Sequence, residues 1–305
     1  MVSVEAVLAA LGRPLDTPCD AEPLGEAPGS PVQLFIGGAE TLEVVVREAA
    51  NPEARENHLA VSERLRDAGF AWMPELLAIV DGATIERAAP GATALQLVPP
   101  PAAAEAAMAA FAALHTLPLR EGLDWGKEPA DLLPEGEFPL HRLGFAASER
   151  DGARGPLQEA RERLLASLFG FAHRNATAAN VALAPGKTWI SDFSTAGYGP
   201  QLWDVAAFLL TSGLEAPARR ALAAAYGAHR GMAAAEAADA IDLAGLFWGM
   251  HWQLDLPRRL ITSLGDDAAT GALRLCAARI EKGIRQPAGD SPIVRAIRRA
   301  LWRVE

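Results

Sequence analysis

The sequence predicts an α+β protein with two lobes, a small antiparallel sheet with one helix followed by a larger, mainly helical lobe. Two strand–turn–strand patterns flank one helical pattern between Pro31 and Gly91. Three consecutive prolines from Pro99 then interrupt regular structure. Most of the remaining chain has helical periodicity. We therefore expect residues 1–97 to form the first lobe and residues 98–305 the second.

The small lobe is predicted from two hairpins and the helix between them. The segments VQLFI and TLEVVVREA are rich in residues that favour strands, and a Gly-Gly pair joins them. A helix is expected to begin at Pro52 and to end before Pro74, because leucines recur there on a helical period. The segments LLAIV and TIER flank Asp81-Gly82, a dipeptide typical of tight hairpins.

The large lobe is predicted to be helical with one exception. Helices are expected over residues 103–116 and 157–171, and again from Glu215 to the C-terminus. The exception is NVALAPGKTWISDF, in which two short apolar runs flank a Pro-Gly turn, so we predict a hairpin within the helical lobe. Residues 119–155 are rich in proline, glycine and charge and are expected to form a surface excursion.

Composition excludes several classes of protein. Half of the 305 residues are hydrophobic and no apolar run approaches the length of a membrane span, so a globular protein is expected. The net charge of −10 argues against nucleic-acid or anionic-membrane partners. It would suit a cationic small molecule, but ordinary solubility is the favoured explanation. Cys19 and Cys276 lack metal-ligand spacing, and Glu5 without a basic flank argues against a signal peptide. We expect a cytoplasmic protein with free thiols.

The segment FAHRNATAANVALAPGKTWISDFSTAGYGPQLWDVAAFL, residues 171–209, contains the polar residues with the most informative spacing. It resembles the catalytic core of the aminoglycoside phosphotransferase and choline kinase family, within the protein-kinase-like superfamily. That family's pattern is His-x-Asp, four residues, Asn, a short hairpin, an apolar pair, Asp, an aromatic residue and a small residue. The matching positions here are His173, Asn175, Asn180, Asp192, Phe193 and Ser194.

The resemblance implies a bilobal kinase-like fold that uses ATP and Mg²⁺. Phosphoryl transfer needs a carboxylate to hold the metal and a neutral oxygen as a further ligand. By resemblance Asp192 is that carboxylate and Asn180 the second metal ligand. His173 is implied to be a scaffold residue of the catalytic loop, and Asp204, at the start of a helix, is implied to brace that loop.

The resemblance extends into the small lobe. It implies that Gly37 and Gly38 form the turn that covers the nucleotide, and that Arg47 on the next strand binds its phosphates. Glu86, at the end of a later strand, matches the hinge whose backbone meets the adenine.

Arg47 is expected to pair with a carboxylate of the following helix. Glu56 is the favoured partner, and Glu63 is an alternative because the helical register is not fixed by the sequence.

Asn175 departs from the family pattern because it replaces the aspartate that acts as the catalytic base. An amide cannot accept a proton at neutral pH, although its oxygen can still orient a hydroxyl. Three explanations compete. The chain is a silent member that only binds a nucleotide or metabolite, or it uses another base or an acidic acceptor, or the asparagine was engineered to trap a complex.

Acceptor specificity in this family resides in the C-terminal helices. Trp248, Trp252 and Asp255 share one helical face, with His251 beside them, and such a face could bind a cationic amine. The alternative is that the two tryptophans pack in the core.

The predicted activity is phosphoryl transfer to a hydroxyl of an aminoglycoside, amino sugar, amino alcohol or similar molecule, and the alternative is a silent kinase-like binding module. The oligomeric state is not predicted.

Overall fold

A computed structural model gives the fold of the chain. It describes residues 2–23, 32–38, 41–48, 52–89, 92–118, 140–184, 187–263 and 267–302. Across those ranges, none of the helices combines the length and apolar character needed to cross a bilayer. The elements form the expected small sheet lobe and larger helical lobe, so the predicted α+β architecture is confirmed.

The small lobe is a five-stranded antiparallel sheet with strand order β1-β2-β3-β5-β4. Its elements are α1 (Val4–Ala10), β1 (Cys19–Pro23), β2 (Val32–Ile36), β3 (Leu42–Glu48), α2 (Pro52–Asp67), β4 (Leu76–Val80) and β5 (Ala83–Arg87). Both predicted hairpins are present. Asp81 and Gly82 turn the second one with φ of 47° and 84°, the left-handed conformation that this dipeptide tolerates.

Two elements precede the predicted hairpins of the small lobe. Helix α1 begins after Ser3, whose hydroxyl accepts from the amide of Ala6. Strand β1 extends the sheet beyond β2. The sequence analysis missed β1 because CDAEP lacks the alternation of apolar residues that predicts a strand, and only pairing with β2 makes it one.

Helix α2 packs with the large lobe more than with the sheet. The sheet and α1 share a core that includes Val44 and Ile85, both fully buried. Val61 and Leu65 of α2 are also fully buried, but they belong to the hydrophobic core of the large lobe. Helix α2 therefore connects the two lobes.

The large lobe begins with β6 (Ala92–Thr93) and α3 (Pro101–Thr116), which starts at the last of the three prolines. Helix α4 (Ala147–Leu165) differs from the prediction of a helix over 157–171. It begins ten residues earlier and tolerates Pro156 in its interior, while residues 169–172 form a strand. Of the predicted surface excursion, residues 119–139 lie outside the described part of the chain.

Short strands carry the catalytic segment. They are β7 (Phe169–Ala172), β8 (Val181–Ala184), β9 (Lys187–Ile190) and β10 (Gly197–Pro200). The predicted hairpin is β8-β9, and β6 pairs with β8 to make a three-stranded sheet. Strand β7 pairs antiparallel with β10, which explains why residues 169–172 are not helical. The Pro-Gly turn of the hairpin lies outside the described residues.

Five helices complete the lobe. They are α5 (Gln201–Thr211), α6 (Ala216–His229), α7 (Ala234–Thr262), α8 (Asp267–Arg285) and α9 (Pro292–Trp302). Helix α5 is almost entirely buried and directly follows β10. Its first turn therefore lies beneath the loop that joins β7 to β8.

Candidate nucleotide and catalytic site

Asp204 holds the loop after β7 from below. It lies in the first turn of α5 and is 1% exposed. One carboxylate oxygen accepts from the backbone amide of His173 at 2.6 Å and from Nε2 of His115 at 3.0 Å. The other oxygen accepts from the backbone amide of Arg174 at 2.8 Å. These contacts agree with the predicted bracing role of Asp204.

His115, on α3, is a buried partner that the sequence analysis did not identify. Its Nδ1 lies 2.9 Å from the hydroxyl of Tyr226, so Nε2–H donates to Asp204 while Nδ1 accepts from the tyrosine. Burial lowers the pKa of His115, and the hydrogen bond to Asp204 opposes that shift only in part. A histidine late in a helix gives no local signal for this role, because the contact spans elements far apart in sequence.

His173 is a scaffold residue by its contacts. Its ring is fully buried and lies 4.8 Å from that of Phe193, centroid to centroid. Nε2–H donates to the carbonyl of Ser191 at 2.8 Å, and Nδ1 accepts from the backbone amide of Asn175 at 3.3 Å. Both ring nitrogens are therefore committed to backbone groups, which leaves neither for proton transfer.

Asn175, Asn180 and Asp192 are brought together by the β8-β9 hairpin. The side-chain amide of Asn180 donates to the carbonyl of Asn175 at 2.9 Å. The backbone amide of Ser191 donates to the carbonyl of Asn180 at 3.0 Å, which places Asp192 beside it. The side chain of Asn175 is half-buried and has no hydrogen-bond partner within the described residues.

Two residues of this site have left-handed backbone conformations. Arg174 has φ of 66° and Asp192 has φ of 65°. For residues with side chains this region is costly by roughly 1–3 kcal/mol and is found mainly where surrounding contacts impose it. Arg174 directly precedes Asn175, which is expected to orient the acceptor, and Asp192 is itself the residue expected to hold the metal.

The side chains of Asp192 and Asn180 fit a divalent cation of the hard, oxygen-binding type. Asp192 is half-buried, and its described contact is the hydroxyl of Ser194, which donates at 2.6 Å. Because the nitrogen of the Asn180 amide is committed to Asn175, its oxygen is left as a ligand. No group of three or more His, Cys, Asp or Glu side chains suited to a metal occurs among the described residues. Mg²⁺ commonly takes one or two protein oxygens and completes its shell with phosphates and water.

Arg47 pairs with Glu86, not with Glu56 or Glu63. Its Nε lies 3.4 Å from a carboxylate oxygen of Glu86, on the neighbouring strand β5. Glu56 is exposed on α2, and Glu63 lies 3.9 Å from Arg66. The prediction of a carboxylate partner from the helix was wrong, because strand pairing sets the side chains of β3 and β5 closer than the helix does.

Helix α2 contributes His58 to this pair instead of a carboxylate. Nε2 of His58 lies 2.8 Å from the other carboxylate oxygen of Glu86, which is 4% exposed. Burial by itself raises the pKa of Glu86, but the hydrogen bond from His58 and the charge of Arg47 outweigh it and hold that pKa below its ordinary value. Glu86 is therefore an ionised carboxylate inside the small lobe.

The predicted nucleotide-covering turn follows β2. Gly37 donates its backbone amide to the carbonyl of Pro18 at 2.8 Å, and Gly38 has φ of 153°, which glycine adopts readily. Residues 39 and 40, which follow in sequence, lie outside the described residues. Glu86 lies within the sheet, opposite Val45 and Leu76, and contact between its backbone and adenine stays a prediction.

The predicted acceptor face is not open. Trp248 and Trp252 are only 5% and 4% exposed and belong to the core of the large lobe. Asp255 is paired with Arg258 and Arg259, each at 2.8 Å. The hypothesis of an amine site here was wrong, and the alternative, that the two tryptophans pack in the core, is confirmed, because the apolar side of α7 is buried.

Comparison with known proteins agrees with this geometry. The sequence pattern of the phosphotransferase enzyme family (APH) matches residues 38–239, more than half of the chain. No curated protein matches the chain in sequence.

Solved structures share the fold. A choline/ethanolamine kinase family protein from Mesorhizobium loti has a TM-score of 0.57 at 19% identity, with 92% of each chain covered. The ethanolamine kinase of Plasmodium vivax has a TM-score of 0.60 at 12% identity, with 91% of this chain and 83% of that one covered. An amicoumacin kinase in complex with AMP-PNP and Ca²⁺ has a TM-score of 0.52 at 12% identity, with 90% and 91% covered. With the family match and the site geometry together, this chain belongs to the phosphotransferase enzyme family and is a small-molecule kinase by family.

Proposed function

We propose that this protein transfers the γ-phosphoryl group of ATP to a hydroxyl of a small amino alcohol, amino sugar or aminoglycoside, and that Asn175 makes the transfer slow. The observation that carries the proposal is that the β8-β9 hairpin meets the loop after β7 and brings their polar side chains together. There Asp192 and Asn180 offer oxygen ligands beside Asn175, on a loop held by His173 and Asp204. A chain that had abandoned metal binding would have little use for this arrangement.

Each residue has a role that follows from its contacts. Asp192 and the oxygen of Asn180 would hold Mg²⁺, which when bound neutralises charge on the nucleotide phosphates. Arg47, kept in place by Glu86, would bind a phosphate from the small-lobe side. The side-chain oxygen of Asn175 would accept a hydrogen bond from the acceptor hydroxyl and orient it.

The loss of the base need not abolish transfer. General-base catalysis is typically worth about 10²- to 10⁴-fold, whereas the loose transition state of phosphoryl transfer depends mainly on positioning and charge neutralisation. Asn175 retains positioning and lacks proton acceptance. The expected phenotype is a slow kinase.

The acceptor class is supported by similarity and charge. Proteins that share the fold are named choline/ethanolamine, ethanolamine and amicoumacin kinases. Choline and ethanolamine each combine a cationic nitrogen with a hydroxyl. The net charge of −10 favours encounter with cationic molecules.

A second candidate is a kinase-like module that binds nucleotide without turning it over. One observation favours it, the replacement of the base by Asn175. Both candidates require nucleotide binding at Asp192, so they differ in turnover alone.

Thermal unfolding with ATP and Mg²⁺, with ATP and EDTA, and without ligand tests the shared step. We expect Mg-ATP to stabilise the wild type by about 2.7 kcal/mol at a hundredfold excess over Kd. Asp192→Ala should lose this stabilisation. Asp151→Ala, which removes an exposed carboxylate on α4, is the matched control and should keep it.

Phosphoryl transfer to choline, ethanolamine, an amino sugar and an aminoglycoside then separates the candidates. We expect Asn175→Asp to raise turnover by about 10²- to 10⁴-fold with one of these acceptors. Mg-ATP binding without transfer by either form would favour the binding module. If Mg-ATP stabilises neither form, the kinase proposal fails.

A further inference from the structure

Asn57, the residue before His58 on α2, contacts the segment that follows Asp192. Its side-chain amide nitrogen lies 2.9 Å from the carbonyl oxygen of Ser194 and 3.0 Å from that of Ala196. The carbonyl of Phe193 is a third, weaker acceptor at 3.5 Å. One amide group from the small-lobe helix therefore contacts three backbone carbonyls within four residues of the large lobe.

We propose that Asn57 is the positioning residue of the metal-holding segment, and that α2 thereby links Asp192 to Arg47. This inference rests on the proposed function, because it assigns how the nucleotide site is assembled. Asn57 touches neither substrate nor metal in this scheme. It acts through the backbone that carries Asp192.

The segment needs such a constraint. Asp192 has a left-handed backbone, and its side chain bonds only to the nearby hydroxyl of Ser194 among the described residues. Strained residues persist only where surrounding contacts over-determine them. The carbonyls after Asp192 face α2, and the amide of Asn57 supplies the donors that they require.

Helix α2 is a firm base for this contact. Val61 and Leu65 bury the next turns of the helix in the core of the large lobe. Phe70, just beyond its end, meets Phe193 edge to face, with ring centroids 6.5 Å apart. The helix and the segment thus share a packed interface, and the hydrogen bonds of Asn57 fix their register.

The adjacent residue extends the link to the small lobe. His58 bonds Glu86, and Glu86 pairs with Arg47. Two neighbouring side chains on one helix therefore hold the two groups that are expected to meet the nucleotide phosphates from opposite lobes. A shift of α2 would displace both groups together.

Two variants separate hydrogen bonding from packing. Asn57→Ala removes the donors, and Asn57→Asp keeps the size but places a carboxylate against three carbonyl oxygens. Glu53→Gln, an exposed position in the first turn of the same helix, is the matched control. The first measurement is amide hydrogen exchange over residues 192–198 in protein free of nucleotide and metal. We expect exchange about tenfold faster in Asn57→Ala, faster still in Asn57→Asp, and unchanged in Glu53→Gln.

The second measurement is the Mg²⁺ concentration that gives half-maximal nucleotide binding. We expect it to rise about five- to tenfold in Asn57→Ala, while nucleotide binding in EDTA stays at the wild-type level. A purely structural role would weaken binding in both conditions alike and would overturn the inference.

The two proposals fail in different ways. If wild type binds Mg-ATP but the Asn57 variants keep wild-type exchange and Mg²⁺ dependence, the positioning role is refuted and the proposed function stands. If wild type does not bind Mg-ATP, the proposed function fails, and unchanged exchange over residues 192–198 would refute the positioning role as well.

Discussion

Asp192 and Asp204 lie on either side of the short strand β10, and their surroundings differ sharply. Asp204 is buried and accepts from two backbone amides and from His115. Asp192 is half-buried, has a strained backbone and accepts from the hydroxyl of Ser194. A buried carboxylate with every oxygen bonded stabilises structure, whereas one left short of donors can bind a cation. The contrast supports the prediction that Asp204 stabilises the fold and that Asp192 serves the ligand.

The same contrast holds in the small lobe. Glu86 is as deeply buried as Asp204, and His58 and Arg47 satisfy it. Its ion pair holds the guanidinium of Arg47, which is expected to bind phosphate. Satisfied carboxylates thus lie behind the site in both lobes, and Asp192 lies at its front.

The largest expected effect on the free energy of unfolding comes from removing the buried carboxylate of Asp204. Asp204→Ala would leave three donors without an acceptor in the core, each worth about 1–3 kcal/mol. We expect the free energy of unfolding to fall by about 3–5 kcal/mol, measured by urea denaturation. A loss below about 1 kcal/mol, comparable to the exposed control Asp151→Ala, would remove the contrast with Asp192.

The next largest loss of stability is expected when the carboxylate of Glu86 is removed. Glu86→Ala would leave His58 and the partly exposed Arg47 without their carboxylate, and we expect a loss of about 2–4 kcal/mol. Chemical denaturation beside Glu56→Ala, which changes an exposed position on α2, provides the comparison. Equal losses in the two variants would instead support the helix carboxylate as the partner of Arg47.

The third effect is a pH dependence that originates at His115. Because burial lowers its pKa in the folded protein, the unfolded chain binds more protons below its ordinary pKa of about 6.5, and stability falls as the pH drops. The slope is at most about 1.4 kcal/mol per pH unit between pH 6.5 and 5. The pKa of Glu86 is held below its ordinary value, so the stability that Glu86 contributes is lost mainly at lower pH than this. Denaturation of wild type and His115→Gln across that range should show a shallower slope in the variant, and parallel slopes would contradict the assignment.

The smallest effect is expected at Asp192. Without nucleotide and metal, Asp192→Ala should change the free energy of unfolding by about 1 kcal/mol, since a single side-chain hydrogen bond is lost at a half-buried position. Urea denaturation of ligand-free protein measures it. A loss as large as that of Asp204→Ala would show that Asp192 supports the fold, and the division between the two aspartates would fail.

The sequence by itself determined the two-lobed order, the hairpins and the positions of Asn175, Asn180, Asp192 and Asp204. Strand alternation, turn dipeptides and the spacing around one short hairpin are local properties, and the chain expresses them wherever it folds. The extent of α4 was misjudged because strand β7 at its end depends on pairing with β10, which lies well beyond it in sequence.

Only the tertiary structure decided which groups meet. The partner of Arg47 is Glu86 and not Glu56, His115 bonds Asp204, Asn57 holds the segment after Asp192, and Trp252 lies in the core. Each of these contacts joins elements distant in sequence, so its geometry follows from packing. A residue's type sets what it can bind, and the packing of the lobes sets what it reaches.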